Sequence, residues 1–256
     1  MLRPLHLLLV SAGLCAAQTA VPVVVELFTS EGCSSCPSAD QLLARFDSSN
    51  AGNSRLQSRS KSGMSNIEVI VLGEHVDYWD QLGWKDRFSS PLFSARQQDY
   101  GIALRAGTVY TPQAVVNGQK EVVGSDVRAL SSAIVDAAAS PRAPVSLEFH
   151  GSDTISLKVG RLPPGSGHAD VLLAIAENGL ESIVGGGENN GRRLRHVAVV
   201  RSISRLAELD GSHPGEYSAQ ARVNFRADWV KSSLRLIVLV QDRDTRRILG
   251  AASLRP

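Results

Sequence analysis

The feature that most constrains this chain is a pair of cysteines placed between a buried strand and a helix. Residues 21–29 (VPVVVELFT) are a nearly continuous apolar run rich in valine, which is typical of a strand buried on both faces of a sheet. Cys33 and Cys36 follow in a Cys-x-x-Cys spacing, and residues 38–46 (SADQLLARF) then carry apolar side chains at helical spacing. This order predicts that both sulfurs meet at the start of a helix.

A cysteine at the start of a helix has distinctive chemistry. Cys33 would face free backbone N–H groups and the positive end of the helix dipole, which stabilise a thiolate and lower the pKa of the thiol. A thiolate attacks a substrate disulfide, and Cys36, one turn further on, can then resolve the mixed disulfide. We therefore predict Cys33 as the catalytic nucleophile, Cys36 as the resolving cysteine, and thiol–disulfide exchange as the function.

Two other uses of the cysteine pair stay open. A Cys-x-x-Cys pair can be half of a zinc or copper site, although such a site normally needs two further ligands and the sequence has no second pair. The nearest ligand candidates are His75, Asp77 and Asp80. The pair can also be an inert disulfide in a non-catalytic binding module. We predict no cofactor and no metal in the leading interpretation.

The first residues, 1–17, have the pattern of a secretory signal peptide: Arg3, an apolar run over 5–14, and small residues up to Ala17. The apolar run is too short to span a bilayer, which takes about 20 residues. Lipidation of Cys15 is the weaker alternative, because the residues before it do not fit such a site. We predict export to the periplasm or the extracellular space, with no transmembrane segment in the mature chain.

Composition narrows the class of partner. Hydrophobic residues make up 43% and charged residues 20% of the chain, which is typical of a globular protein. The formal net charge is only +2 and aromatic residues make up only 5%. A nucleic-acid-binding surface needs a strongly basic face, so nucleic acid is excluded as a partner. We expect exported proteins or small thiols and disulfides as substrates.

The chain divides near residues 140–144 (SPRAP). Residues 21–140 alternate strand and helix patterns, interrupted by a serine-rich segment at 48–65 that we interpret as a flexible insert. Residues 144–256 contain short β-like runs separated by turn-formers, which favours an antiparallel β-sandwich. Further strands are predicted at 67–72, 113–116 and 121–123, with helices around 91–105 and 126–139.

The stretch FTSEGCSSC resembles the thioredoxin superfamily, and its glutaredoxin branch especially. The resemblance implies a thioredoxin-like α/β fold over residues 21–140. It also implies that Thr111-Pro112, just before a strand, is that superfamily's cis-proline turn, which lies beside the cysteines and offers the backbone of Thr111 to an extended substrate. Glu26 would lie out of register with the buried acid of thioredoxin, so we expect it to point outward or to form a structural ion pair.

Six ordered stretches resemble a narrower family, the secreted thioredoxin-like proteins labelled "domain of unknown function 1223". They are ELFTSEGCSSCPSAD, HVDYWDQLGWKDRFSS, ARQQDY, VYTPQAVVNG, GENNGRRLRHVAVVR and VQDRDTRRILGA. The label implies no reaction.

Two stretches outside the cysteine motif have uncertain roles. HVDYWDQLGW follows the second strand at the carboxyl edge of the sheet, where active sites form, so we predict His75, Asp77 and Trp79 as substrate-binding residues. The alternative is a loop that packs on the fold through its tryptophans. GGGENNGRRLRH at residues 185–196 has no phosphate-binding pattern, and we interpret it as a long loop whose arginines are solvated or face the first domain.

Overall fold

The computed structural model describes residues 20–47, 67–211 and 215–255. The predicted signal peptide and the predicted serine-rich insert lie outside the described residues. The helices are α1 (Cys36–Phe46), α2 (Pro91–Ala103) and α3 (Val127–Ala138). The strands are β1 (Val21–Thr29), β2 (Ile67–His75), β3 (Gln113–Val116), β4 (Lys120–Val123), β5 (Val145–His150), β6 (Thr154–Val159), β7 (His168–Glu177), β8 (Leu180–Ile183), β9 (Arg193–His196), β10 (Val199–Asp210), β11 (Tyr217–Arg222), β12 (Leu234–Asp242) and β13 (Ile248–Leu254).

The local sequence explains the elements around the cysteines. Pro37 occupies the first turn of α1, where the missing N–H costs nothing. The side chain of Asp126 caps α3 by accepting from the backbone N–H groups of Arg128 and Ala129. Asn117 and Gly118, both with positive φ, form the tight turn between β3 and β4. These elements agree with the sequence prediction to within a few residues at their ends.

A mixed eight-stranded sheet runs through the molecule in the order β13-β12-β7-β10-β2-β1-β3-β4. β1 pairs in parallel with β2 and antiparallel with β3. A Cβ placed on Gly124 would contact both Leu27 of β1 and Ala39 of α1. Helix α1 therefore covers the face of β1 that carries Leu27. Glu26 precedes Leu27 in β1, so its side chain points to the opposite face of the sheet. Arg96 and Tyr100 of α2 bind Glu26, so α2 covers that face. The sheet is therefore covered by helices on both faces in the first half.

The second half shares this sheet, which differs from the expected arrangement of a separate β-sandwich. A three-stranded sheet, β11-β6-β5, packs on β7 and β12 and encloses a second core. Val171, Leu173 and Ile175 of β7 face that core, whereas Leu172 and Ala174 face the first core. β7 and β12 are thus buried on both faces, which explains their continuous apolar sequences. A sandwich is present, but its larger sheet extends across the predicted boundary at 140–144.

The two halves of the large sheet join where β10 meets β2. Gly73 pairs with Val199 at this junction, and its N–H donates to the carbonyl of Ala198 at 2.8 Å. A Cβ at position 73 would lie 3.1 Å from the carbonyl oxygen of Val197, which is tighter than an ordinary contact, so glycine eases this close approach. The junction brings β9 and the loop before it close to the end of β1. Among the described residues, no helix is both long and apolar enough to cross a membrane.

Candidate functional site

The candidate site is centred on a disulfide bond between Cys33 and Cys36. Cys36 is the first residue of α1, and its backbone N–H donates to the carbonyl of Cys33 at 3.2 Å. Both cysteines are 0% exposed, whereas Ser34 and Ser35 between them are exposed. The sequence motif is therefore at the predicted place, at the carboxyl end of β1 and the start of a helix. In this oxidised form, however, both cysteines are buried.

The first turn of α1 has no side-chain cap of its own. Ser35 occupies the N-cap position without a capping hydrogen bond, and the first turn contains no acidic residue. The nearby N–H of Ser34 instead donates to Oε2 of Glu188, at 3.0 Å. Hydrogen bonds from the side chain and then the backbone N–H of Ser34 lower the pKa of the Glu188 carboxyl, which is exposed. A carboxylate from the second half of the chain therefore lies beside the cysteines.

Of the predicted substrate-binding residues Thr111, Pro112 and Trp79, Trp79 lies against the cysteine loop and Thr111 is joined to Trp79. The Thr111–Pro112 bond is cis, which confirms the prediction for this bond. The indole N–H of Trp79 donates to Oγ1 of Thr111 at 2.8 Å. A Cβ placed on Gly32 would lie 3.4 Å from Cβ of Trp79. Trp79 of the loop after β2 therefore links the residue preceding Cys33 to the turn before β3.

His75 and Asp77, also predicted to bind substrate, are engaged in internal contacts. His75 is 1% exposed, and its Nδ1 lies 2.6 Å from Oδ2 of the buried Asp86. Asp77 accepts from the hydroxyl of Ser94 in the first turn of α2, and its own N–H donates back to that hydroxyl oxygen at 3.1 Å. Both side chains hold the HVDYWDQLGW loop against the fold. Their predicted role in substrate binding stays a prediction.

A cluster of buried ionisable side chains lies around the cysteine loop. Nε2 of His196, at the end of β9, is 3.3 Å from Oε1 of Glu31, and Nδ1 is 3.7 Å from Oδ2 of Asp40. The ring of His75 packs edge-on against that of His196, with centroids 4.9 Å apart. The indole of Trp84 donates to the other oxygen of Glu31 at 2.8 Å. Glu31 lies two residues before Cys33, and Asp40 one helical turn after Cys36.

The charges in this cluster follow from its geometry. Burial opposes protonation of His196, but the carboxylates of Asp40 and Glu31 outweigh it and raise the pKa of His196 to about 9. Burial likewise opposes ionisation of Glu31, but His196 and the hydrogen bonds to the carboxylate lower its pKa overall. At neutral pH His196 is therefore a buried imidazolium between Glu31 and Asp40, the two residues that flank the cysteine pair in the sequence.

A strap from the second half, defined as residues 185–191, lies on the cysteine loop. The side-chain amide of Asn189 donates to the carbonyl of Glu31 at 2.9 Å and to the carbonyl of Cys33 at 2.8 Å. Gly186 lets the strap approach the HVDYWDQLGW loop, because a Cβ there would lie 2.2 Å from the carbonyl oxygen of Gly83. The arginines of this stretch are exposed, as one of the two expected alternatives has it, and Arg193 and Arg195 belong to β9 and pair with Glu181. The contacts with the first half are made by Glu188 and Asn189 instead.

Glu26 belongs to a separate buried network on the other face of the sheet. Its carboxylate accepts from Arg96 at 2.6 Å and from the hydroxyl of Tyr100. Burial opposes ionisation of Glu26, but Arg96 lowers its pKa overall, whereas burial and Glu26 raise the pKa of the neighbouring Glu74. Glu26 is a structural ion pair, as expected, and it lies across the sheet from α1.

Comparison with known proteins places this chain in a family. The family model described as "Protein of unknown function (DUF1223)" matches residues 24–241, which include the cysteine loop, the HVDYWDQLGW loop and the strap. The chain belongs to the DUF1223 family. No curated protein sequence matches it significantly.

Solved structures share the fold of this DUF1223 protein. An X-ray structure of a protein from Agrobacterium tumefaciens is 29% identical, with a TM-score of 0.69, and the match covers 93% of this chain and 96% of that one. HBP35 of Porphyromonas gingivalis is 14% identical, with a TM-score of 0.64, and covers 93% of this chain and 76% of its own. The second likeness concerns the fold alone. The first extends over nearly the whole of both chains.

Sequence reasoning missed several residues of this DUF1223 site. Glu31 and Asp40 lie on either side of the cysteine motif, but a carboxylate next to a helix start is ordinarily interpreted as exposed. Glu188, Asn189 and His196 are more than a hundred residues away along the chain, and no local pattern shows which loop they contact. The one available signal was the glycine-rich composition of the strap, which indicates a close backbone approach.

Proposed function

We propose that this protein is an exported thiol–disulfide oxidoreductase whose redox centre is the Cys33–Cys36 pair. The observation that carries the proposal is the disulfide between these residues at the first turn of α1. The helix N-terminus stabilises the thiolate that forms when such a bond is broken. Export directed by residues 1–17 would deliver the pair to an oxidising compartment, where disulfide exchange is used.

The reaction follows from the order of the two sulfurs. A substrate thiolate attacks Sγ of Cys33, the substrate–Cys33 bond forms, and Cys36 leaves as a thiolate that takes up a proton. A second substrate thiolate then attacks the substrate sulfur and displaces the thiolate of Cys33. The substrate dithiol has become a disulfide and the protein disulfide a dithiol, with two electrons transferred. The reverse sequence reduces a substrate disulfide.

The frame around the pair supports a thioredoxin-like assignment for residues 21–140. The cysteines lie between a central strand and a helix, and β1 is flanked by the parallel β2 and the antiparallel β3. Thr111 and Pro112 begin the segment that leads into β3, and Thr111 is linked to the cysteine loop through Trp79. We propose that an extended substrate segment binds along Thr111, beside the cysteine turn.

Burial of the cysteines limits how the exchange proceeds. With both residues 0% exposed, a thiolate on a folded protein has no direct line to Sγ of Cys33. The exchange therefore requires a local opening of the cysteine loop, which Trp79 and Asn189 of the strap contact. Small thiols such as glutathione need a smaller opening than protein substrates do.

The same burial favours a second candidate, a binding module in which the disulfide is only structural. Buried structural cysteines are unreactive, and in this case the second half of the chain would recruit the partner. Metal binding at the pair has less support, because the described residues contain no group of three or more side chains that could hold a metal ion.

Trapping of mixed disulfides tests the proposed function. Cys36→Ser removes the resolving thiol, so Cys33 should stay bonded to its substrates, and reducing-sensitive adducts should accumulate in the exported fraction of cells. Cys33→Ser is the matched control, since it leaves one cysteine in the same turn but removes the nucleophile. Adducts with Cys36→Ser alone support the oxidoreductase, whereas adducts with neither variant support the structural disulfide.

A further inference from the structure

The strap meets the cysteine turn through one fully buried side chain. Asn189 is 0% exposed, although both of its chain neighbours, Glu188 and Asn190, are exposed. An asparagine amide has two N–H donors and one acceptor oxygen. The donors bind the carbonyls of Glu31 and Cys33, at 2.9 and 2.8 Å. The oxygen accepts from Nη1 of Arg192 at 2.6 Å, so the whole amide group is engaged.

The carbonyl of Cys33 receives two hydrogen bonds. One comes from the backbone N–H of Cys36 and closes the turn between the cysteines. The other comes from Asn189, which lies 156 residues away along the chain. The second bond, together with that to Glu31, fixes the segment on the amino-terminal side of Cys33. The turn is thus held in the shape of the disulfide form by a residue from the second half.

We propose that Asn189 is a positioning residue of the redox centre, which clamps the cysteine turn, favours the Cys33–Cys36 disulfide and slows its reduction. This inference rests on the proposed function. Two unbonded thiols need more room than a disulfide, so reduction requires the turn to open. The hydrogen bonds from Asn189 suit the closed turn and resist the opening. Holding two reacting groups together raises their effective concentration, which favours bond formation.

The clamp requires an asparagine and not merely a polar residue. Aspartate would offer only acceptors and would bring a negative charge against two carbonyl oxygens. Arg192 orients the amide from outside, since its guanidinium holds the oxygen and leaves both N–H groups facing the cysteine loop. Arg192 is exposed, so its replacement disturbs the clamp without leaving a cavity in the core.

The test is a comparison of reduction equilibria and rates in the mature protein. The equilibrium is protein disulfide plus two glutathione giving protein dithiol plus glutathione disulfide. Asn189→Ala should shift it toward the dithiol about tenfold, equivalent to about 30 mV, because two neutral hydrogen bonds to the closed turn are lost. Reduction by excess dithiothreitol should accelerate by a similar factor. Arg192→Met should give shifts in the same direction but smaller, about threefold.

Matched controls separate the clamp from general effects. Asn190→Ala alters the neighbouring exposed residue, and Arg193→Met removes an arginine that binds Glu181 instead. Both should behave like the wild type. In denaturing guanidinium all variants should share one equilibrium constant, because the clamp exists only in the folded protein. If Asn189→Ala does not fold, Arg192→Met carries the comparison.

The outcomes distinguish this inference from the proposed function. Equal equilibrium constants and rates for Asn189→Ala, Arg192→Met and the wild type would overturn the clamp. A wild type that does not exchange with glutathione would overturn the proposed function. The rates with dithiothreitol would still decide the clamp in that case, since this reagent reduces a structural disulfide as well.

Discussion

The charge of His196 makes a specific prediction about stability against pH. The perturbation is His196→Gln, which keeps a polar side chain of similar size but removes the charge. In the folded protein the carboxylates of Glu31 and Asp40 overcome the cost of burial and hold the pKa of His196 at about 9. The ordinary pKa of histidine, which applies to the unfolded chain, is about 6.5.

The sign and size of the contribution of His196 to the free energy of unfolding follow from proton linkage. Between these two values the folded state binds one more proton than the unfolded state, so the free energy of unfolding falls as pH rises. The contribution is fully present below about pH 6.5 and is lost as pH passes through about 9. Its size is about 3 kcal/mol, from 1.36 kcal/mol for each pKa unit. The other side chains packed against the ring of His196 are those of His75 and Phe88, and neither places a negative charge beside it.

The assay is guanidinium unfolding of the oxidised protein between pH 6 and 9.5. Wild type should lose stability over this range by about 3 kcal/mol more than His196→Gln does, and the variant should be the less stable of the two at pH 6. The control is His168→Gln, because that side chain is 59% exposed and should leave the pH profile unchanged. Parallel profiles for wild type and His196→Gln would refute the assignment of a buried imidazolium.

Two further predictions concern the surroundings of the site. Arg96→Met should lower the free energy of unfolding by about 3–5 kcal/mol, because it leaves the buried Glu26 and Glu74 without a cation. Guanidinium titration measures this change, and a loss under about 1 kcal/mol would contradict the prediction. Reduction of the disulfide should change tryptophan emission mainly through Trp79, which contacts Gly32 beside Cys33. Trp79→Phe should abolish most of the change and Trp229→Phe little of it, whereas an emission unaffected by reduction in the wild type would exclude this proximity.

Local chemistry could be predicted from the sequence because it depends on residues close together in the chain. The apolar run of β1, the cysteine spacing and Pro37 determine a strand, a turn and a helix start within sixteen residues of one another. The cis bond before Pro112 was predicted by resemblance, and the structure confirms it. For Glu26 the comparison with thioredoxin left two expectations, an outward side chain or a structural ion pair, and the structure shows the ion pair.

The arrangement of the second half could not be predicted in the same way. Short β-like runs indicate strands but not which sheet they join, and the pairing of β10 with β2 depends on a close approach at Gly73. A signal was present in β7 and β12, since DVLLAIAE and LRLIVLVQD are apolar at successive positions and so indicate burial on both faces. The contacts of Asn189 with the cysteine turn follow from this shared sheet and have no local signature.

The central claim is that Cys33 is a reactive thiol at a helix N-terminus. The most direct measurement is the rate of alkylation of each cysteine in the freshly reduced protein against pH, with mass spectrometry of the labelled peptides to assign the site. We expect Cys33 to react first, with a midpoint below the ordinary thiol pKa of about 8.5, while Cys36 stays unlabelled at the same pH. Equal labelling of Cys33 and Cys36, with both midpoints at or above about 8.5, would contradict it.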